Sequence, residues 1–222
     1  MNWKEANERS WNAQFGSGRY MSQLPIPFAE KIVATAQTFG INDALEVGCG
    51  NGRNTQAFID ANMDLCGLDI SSVAIEQMRR RFPERAHRFN IGTVETLPPE
   101  ITSMVIGIQV FMFGTRQRCH RHIRSAQRLV RPGGLFCLRA NAVGTEVWPA
   151  YEVTSENADS SFDIRYLEGP KQYLDVHFFA AAELENLFES WDPVLPLVKD
   201  AQPRRSGPGT WIQWEAIWRR TD

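Results

Sequence analysis

The segment Ala44-Leu45-Glu46-Val47-Gly48-Cys49-Gly50-Asn51-Gly52-Arg53-Asn54 constrains this chain more than any other stretch. An apolar run ends in three glycines at alternate positions, which predicts a strand turning sharply into a helix. Glycine allows that turn and leaves room for a ligand to lie against bare main chain. Further on, Leu65-Cys66-Gly67-Leu68-Asp69 reads as a second short strand with an acidic tip. A carboxylate there can accept both hydroxyls of a ribose. The whole pattern is that of a nucleoside-binding βαβ unit.

The glycine spacing narrows the ligand. A dinucleotide fingerprint needs glycine at the first, third and sixth positions. Counting from Gly48, the sixth is Arg53, so the pattern is G-x-G-x-G. A phosphate-cradling loop is excluded too, because no Lys-Ser/Thr follows Gly52. The segment instead resembles motif I of the class I S-adenosylmethionine-dependent methyltransferases. Arg128-Leu129-Val130-Arg131-Pro132-Gly133-Gly134 resembles the signature preceding that family's fifth strand. Gly92-Thr93-Val94-Glu95-Thr96-Leu97-Pro98 is similar to its segment after the third strand. These matches cover roughly residues 40–141 in the expected order. Gly50 to Thr55, Val110 to Phe113, and Trp11-Asn12 with Phe15 further resemble the tellurite-resistance and thiopurine methyltransferase branch.

The resemblance implies an α/β, Rossmann-like seven-stranded methyltransferase sheet, mostly parallel with the last strand antiparallel, helices on both faces and an N-terminal helical lid. The chain reads as one domain, 1–222: lid and helix 1–40, cofactor-binding core 41–141, substrate-side insertion 142–180, and C-terminal helix and hairpin 181–222. Apolar periodicity predicts strands at 44–48, 65–69, 87–91, 103–109 and 135–141, alternating with helices at 52–62, 72–81 and 116–130. Ser71 or Ser72 suits the N-cap of the second of these helices. Residues 144–176 read as loop-rich, followed by a helix at 181–190 and strands at 193–199 and 210–218.

Composition sets limits. A chain of 222 residues, 43% hydrophobic, can bury a sizeable core. A net charge of −2 gives no general attraction to nucleic acid. Four cysteines without a C-x-x-C pair read as free thiols of a reducing compartment. No basic, apolar leader opens the sequence and no apolar run is long enough to span a bilayer, so the expectation is a cytoplasmic protein, monomer or homodimer, without membrane or nucleic-acid partners.

The resemblance also assigns roles. The cofactor is S-adenosyl-L-methionine, and its candidate binding residues are Glu46, Gly48, Gly50, Gly52, Asn54, Asp69, Ile70, Thr93, Val94 and Gln109. The glycines shape the methionine pocket, while Asp69 takes the ribose and Ile70 packs on adenine. Glu46 either orients the loop or is a shielded structural carboxylate. Thr93 stands where many relatives carry Asp to accept from the adenine amine, so backbone groups of Thr93 and Val94 are left to read the base. Gln109 falls where contacts to the methionine amino group occur. No metal site is expected.

Asn141, Tyr166 and His177 are candidates to bind or deprotonate the acceptor, and only His177 titrates near neutral pH. Trp11, Phe15 and Tyr20 either form a lid or pack in the core. Arg204 and Arg205 either clamp an anion or solvate a loop. The arginines of 116–124 are expected to point outward. The function read from this is transfer of a methyl group to S, N or O of a small-molecule acceptor. The alternatives are a nucleic-acid or protein methyltransferase and a non-catalytic cofactor-binding protein.

Overall fold

The structure, a computed structural model, describes residues 3–204 and 207–222. In chain order come α1 (Trp3–Gly16), α2 (Pro27–Thr38), β1 (Asp43–Val47), α3 (Thr55–Asp60), β2 (Asp64–Asp69), α4 (Ser72–Arg81), β3 (Phe89–Ile91) and β4 (Thr102–Ile108). Then follow α5 (Arg116–Gln127), β5 (Val130–Asn141), β6 (Tyr151–Glu156), β7 (Phe162–Tyr166), β8 (Asp175–Phe178), α6 (Ala181–Leu187), β9 (Trp191–Pro203) and β10 (Thr210–Arg220).

Seven strands form one sheet in the order β3-β2-β1-β4-β5-β10-β9. β10 runs against both of its neighbours, and the pairings among β1 to β5 are parallel. Strand alternation builds a core on each face. Met104, Ile106, Leu135 and Cys137 pack with Phe28 and Ile32 of α2 and Phe58 of α3. Val105, Phe136 and Leu138 pack on the other side with Cys119 and Ile123 of α5. Such two-sided burial explains why these strands read as nearly continuous apolar runs. Chain direction away from the first strand reverses between β1 and β4, which opens a crevice at the carboxyl ends of the strands.

Local chemistry sets the helix starts. Pro27 opens α2, where its missing N–H costs nothing. Ser71, rather than Ser72, caps α4 by accepting from the Ala74 N–H at 3.1 Å.

The segment expected to be loop-rich is instead a second, three-stranded antiparallel sheet, β6-β7-β8. It joins the main body through bridges from Phe113 to Val176 and from Ala142 to Phe179. All six residues of β6 are exposed, so its two faces carry no burial contrast. β9 extends beyond its expected ends despite Pro193 and Pro196, which an edge strand tolerates. Among the described residues no helix is long and apolar enough to cross a membrane.

Candidate functional site

A cavity of about 990 Å³ occupies the crevice, floored by the carboxyl ends of β1, β2 and β4 and roofed by α1 and the small sheet. Gly48 and Gly50 line it. Gly48 takes φ +66, and a Cβ there would stand 2.6 Å from Cγ2 of Val110. A Cβ on Gly50 would meet the Phe15 ring at 3.0 Å. The loop therefore needs glycine at both positions to keep its backbone open to a ligand. Gly52 serves a different purpose. It lies outside the lining, and a Cβ there would stand 2.7 Å from the Met78 sulfur and 2.8 Å from the Phe82 ring, so it seats the loop on α4.

Asp69, buried at 8% exposure, lines the cavity beside this loop. Its Oδ2 accepts from the Gly50 N–H at 2.9 Å and its Oδ1 from the Ser71 N–H at 2.8 Å. The carboxylate retains acceptor capacity for a ribose hydroxyl. Burial raises its pKa, opposed by the hydrogen bonds from Ser71, Gly50 and Ile70. Glu46 is buried behind the loop, outside the lining, and takes a hydrogen bond from the Thr55 hydroxyl at the start of α3. Burial pushes its pKa up to about 7, with Thr55 and Arg53 pulling the other way. Glu46 thus braces the turn from behind.

Ile70 and Thr93 also line the cavity. Val94 does not: its side chain is fully buried in the core and its carbonyl accepts from Arg128. Asn54 lines the cavity and accepts from the Ile26 N–H at 3.2 Å, tying the loop to the start of α2. Gln109 adopts φ 59, accepts from Arg53 at 2.9 Å and donates to Gln213 at 2.9 Å. Arg139 sits nearby in the lining, paired with Asp200 and 3.5 Å from Glu215, which also holds Lys31 at 2.8 Å. The charge of Arg139 inside an apolar strand was the sequence signal for this polar corner.

Trp11, Tyr20, Phe113 and Tyr166 also line the cavity, with Phe15 lying over Gly50. Asn141 joins them and accepts from the Trp211 indole N–H at 3.0 Å. Lys171 enters from the loop between β7 and β8. No sequence pattern marked it, since it stands alone in a short Gly-Pro-Lys turn. Arg204 lines the cavity too, whereas Arg205 lies outside the described residues.

His177 is not brought to the cavity. It is fully buried, with Nδ1 2.6 Å from Asp163 and Nε2 3.0 Å from Glu183, so both ring nitrogens are engaged by carboxylates. The sequence placed it at a helix start, but it lies within β8 beside Asp163 and Glu183. Arg116 likewise turns inward rather than out, pairing with Asp159 at 2.6 Å and Glu183 at 3.0 Å.

The bare glycine backbone beside a buried carboxylate with spare acceptor capacity fits the nucleoside half of S-adenosylmethionine. Residues 44–134 match the family described as methyltransferase domain. No curated protein matches the chain. Among solved structures, 1,6-didemethyltoxoflavin-N1-methyltransferase from Burkholderia thailandensis superposes with a TM-score of 0.66 at 16% identity, covering 98% of this chain and 88% of the other. An S-adenosylmethionine-dependent methyltransferase from Methanosarcina mazei gives 0.62 at 19% identity, covering 81% and 92%. TehB from Haemophilus influenzae gives 0.62 at 17% identity, covering 86% and 62%. At such identities the shared property is the fold. Residues 44–134 thus match a methyltransferase domain, and the chain around them has the fold of the S-adenosylmethionine-dependent methyltransferases.

Proposed function

We propose that this methyltransferase transfers a methyl group from S-adenosylmethionine to S, N or O of a small-molecule acceptor. The observation that carries the reading is the cavity itself. Its nucleoside end is bare backbone plus Asp69, and its far end is a roofed, aromatic-lined chamber. A chamber closed over by α1 and a small sheet suits a compact acceptor better than a polymer.

When bound, the cofactor supplies an electrophilic methyl group on its sulfonium. Gly48 and Gly50 would hold the methionine half and Asp69 the ribose, with Ile70 and Thr93 beside the base. The remaining task of the chain is to place the acceptor atom in line, where positioning can supply about 7–11 kcal/mol. Trp11, Phe15, Phe113 and Tyr166 would do this by packing, and Asn141 by hydrogen bonding. His177 has no part in it. The branch resemblance at Gly50–Thr55 and Val110–Phe113 supports a soft chalcogen acceptor. The fold shared with an N1-methyltransferase supports nitrogen equally.

Calorimetry of S-adenosylmethionine on the wild type and Asp69→Ala tests the reading. Loss of one charge-assisted bond, roughly 1.5–3 kcal/mol, weakens binding at least about tenfold. Wild-type binding with an unchanged affinity in a folded mutant would remove Asp69 from the ribose role. No wild-type binding would remove the cofactor assignment.

A further inference from the structure

The acceptor end of the cavity carries more positive charge than the protein neutralises. Lys171, Arg19 and Arg204 all line it, and none has a carboxylate partner within ion-pair distance among the described residues. Arg204 donates instead to the main-chain carbonyl of Glu146, whose carboxylate is turned to the Thr210 N–H. Lys171 is partly buried, with its ammonium 4.9 Å from the centre of the Phe113 ring and 5.9 Å from that of Trp11. Burial and the charges of Arg19 and Arg204 push its pKa down to about 8.

The loop that presents Lys171 is itself fixed. Leu174 N–H donates to the Lys171 carbonyl at 2.9 Å, Gln172 donates to Leu167 at 2.8 Å, and Ser10 of α1 donates to the Pro170 carbonyl at 3.1 Å. From Lys171 the aromatic layer leads inward to the cofactor side: Trp11 lies 5.9 Å from Phe15, which covers Gly50. The other titratable groups lining its surroundings are Tyr20, Tyr166 and Glu168, and the Glu168 carboxylate accepts from the Ala150 N–H. A cation taken out of water without a counter-ion is costly, and two ring faces repay only part of that cost.

We propose that Lys171, together with Arg19 and Arg204, binds an anionic group on the methyl acceptor, so that the acceptor is a small planar apolar molecule bearing a carboxylate or a similar anion. This rests on the methyltransferase reading of the cavity. The aromatic walls accept the planar body, and the ammonium fixes its charged end, which orients the nucleophilic atom toward the cofactor side.

The test titrates benzoate, 4-hydroxybenzoate and 2-mercaptobenzoate, each against its own carboxamide, into the protein with S-adenosylhomocysteine present. Ligand-observed NMR reads the affinities. The expected result is that carboxylates bind at least about tenfold tighter than the matched amides, the ratio set by one charge-assisted bond. Lys171→Met removes the preference. In the wild type the preference fades as the pH rises past about 8, whereas Lys171→Arg keeps it, because guanidinium stays charged. A purely structural lysine would show neither effect. The proposal is overturned if no carboxylate outbinds its amide, whether both bind or neither does. Titration of S-adenosylhomocysteine alone reports separately on the methyltransferase reading, and the carboxylate selectivity is read whatever that titration gives.

Discussion

Replacing Glu183 by Gln keeps the shape of the side chain and removes the charge on which a buried network converges. Glu183 is 2% exposed on α6. Its Oε1 lies 2.5 Å from His120 Nε2 and 3.0 Å from both His177 Nε2 and Arg116 Nε, and its Oε2 accepts from the Ala180 N–H. Breaking a buried ion pair from one side costs about 3–5 kcal/mol. Here His177 keeps Asp163, Arg116 keeps Asp159, and only His120 loses its carboxylate outright, so the low end, about 3 kcal/mol, applies. The pH course follows from the two shifts. Burial would lower the His177 pKa, but the hydrogen bonds its ring N–H groups donate to Asp163 and Glu183 outweigh it and raise it above 6.5. Burial would raise the Glu183 pKa, but His120, His177 and Arg116 together lower it from 4.5 to about 2. The His177 contribution is full below pH 6.5 and is lost as pH rises through its raised value. The Glu183 contribution is full above pH 4.5 and is lost as pH falls toward about 2. Urea unfolding across pH should therefore show the largest mutant deficit between pH 4.5 and 6.5, shrinking on both sides. A deficit below about 1 kcal/mol there, the level of a surface pair, refutes the reasoning, as does one independent of pH.

Three further outcomes follow from other parts of the molecule. Gly52→Ala puts a Cβ 2.7 Å from the Met78 sulfur at φ +89, and thermal unfolding should register a loss of about 1–3 kcal/mol from overpacking. Glu46→Gln keeps an acceptor for Thr55 but removes a carboxyl whose raised pKa makes its contribution full below pH 4.5 and lost as pH rises through about 7, so the mutant should gain on the wild type by roughly 1–3 kcal/mol above pH 7 in denaturant titrations. Hydrogen exchange should find α1 opening faster than β4 and β5, with S-adenosylhomocysteine slowing it; equal protection in the free protein would count against a movable roof.

The parts of the fold and site that were legible are those written locally. β1, its glycine turn and the acid of β2 fall within residues 43–69, and Gly50 and Asp69 are bonded directly to each other. The central strands alternate between two apolar faces, so their runs announced themselves. The acceptor side was hidden for the opposite reason. Lys171 comes from a distant segment and alone looks like an ordinary loop residue, while Arg204 and Trp11 were candidates whose alternatives the sequence left open. His177 misled because a lone histidine says nothing about the Asp163 and Glu183 that enclose it. Arg116 misled because charge on a helix is solvated unless another element covers it, and here α6 and the turn before β7 do so. Net charge could not help either. A balance of −2 over the whole chain averages away three cations gathered at one end of one cavity.

The polarity of α1 supports the lid reading of the N-terminus over the core reading. Its buried residues are Asn7, Gln14 and Phe15, too few apolar groups for a core helix. What holds it is specific. Asn12 accepts from the Ser71 hydroxyl at 2.7 Å, Gln77 donates to the Phe15 carbonyl at 2.9 Å, and Ser10 reaches the Pro170 carbonyl on the Lys171 loop. Its rings face the cavity, where Trp11 packs edge-on to Phe113 with centroids 4.9 Å apart. An element attached by a few net bonds of about 1 kcal/mol each can swing away without unfolding the sheet beneath. One end of α1 is latched beside the nucleoside pocket and its middle to the loop carrying the acceptor-side lysine. Filling either half therefore adds contacts to the same roof, which gives the two ligands a physical route to favour one another's binding.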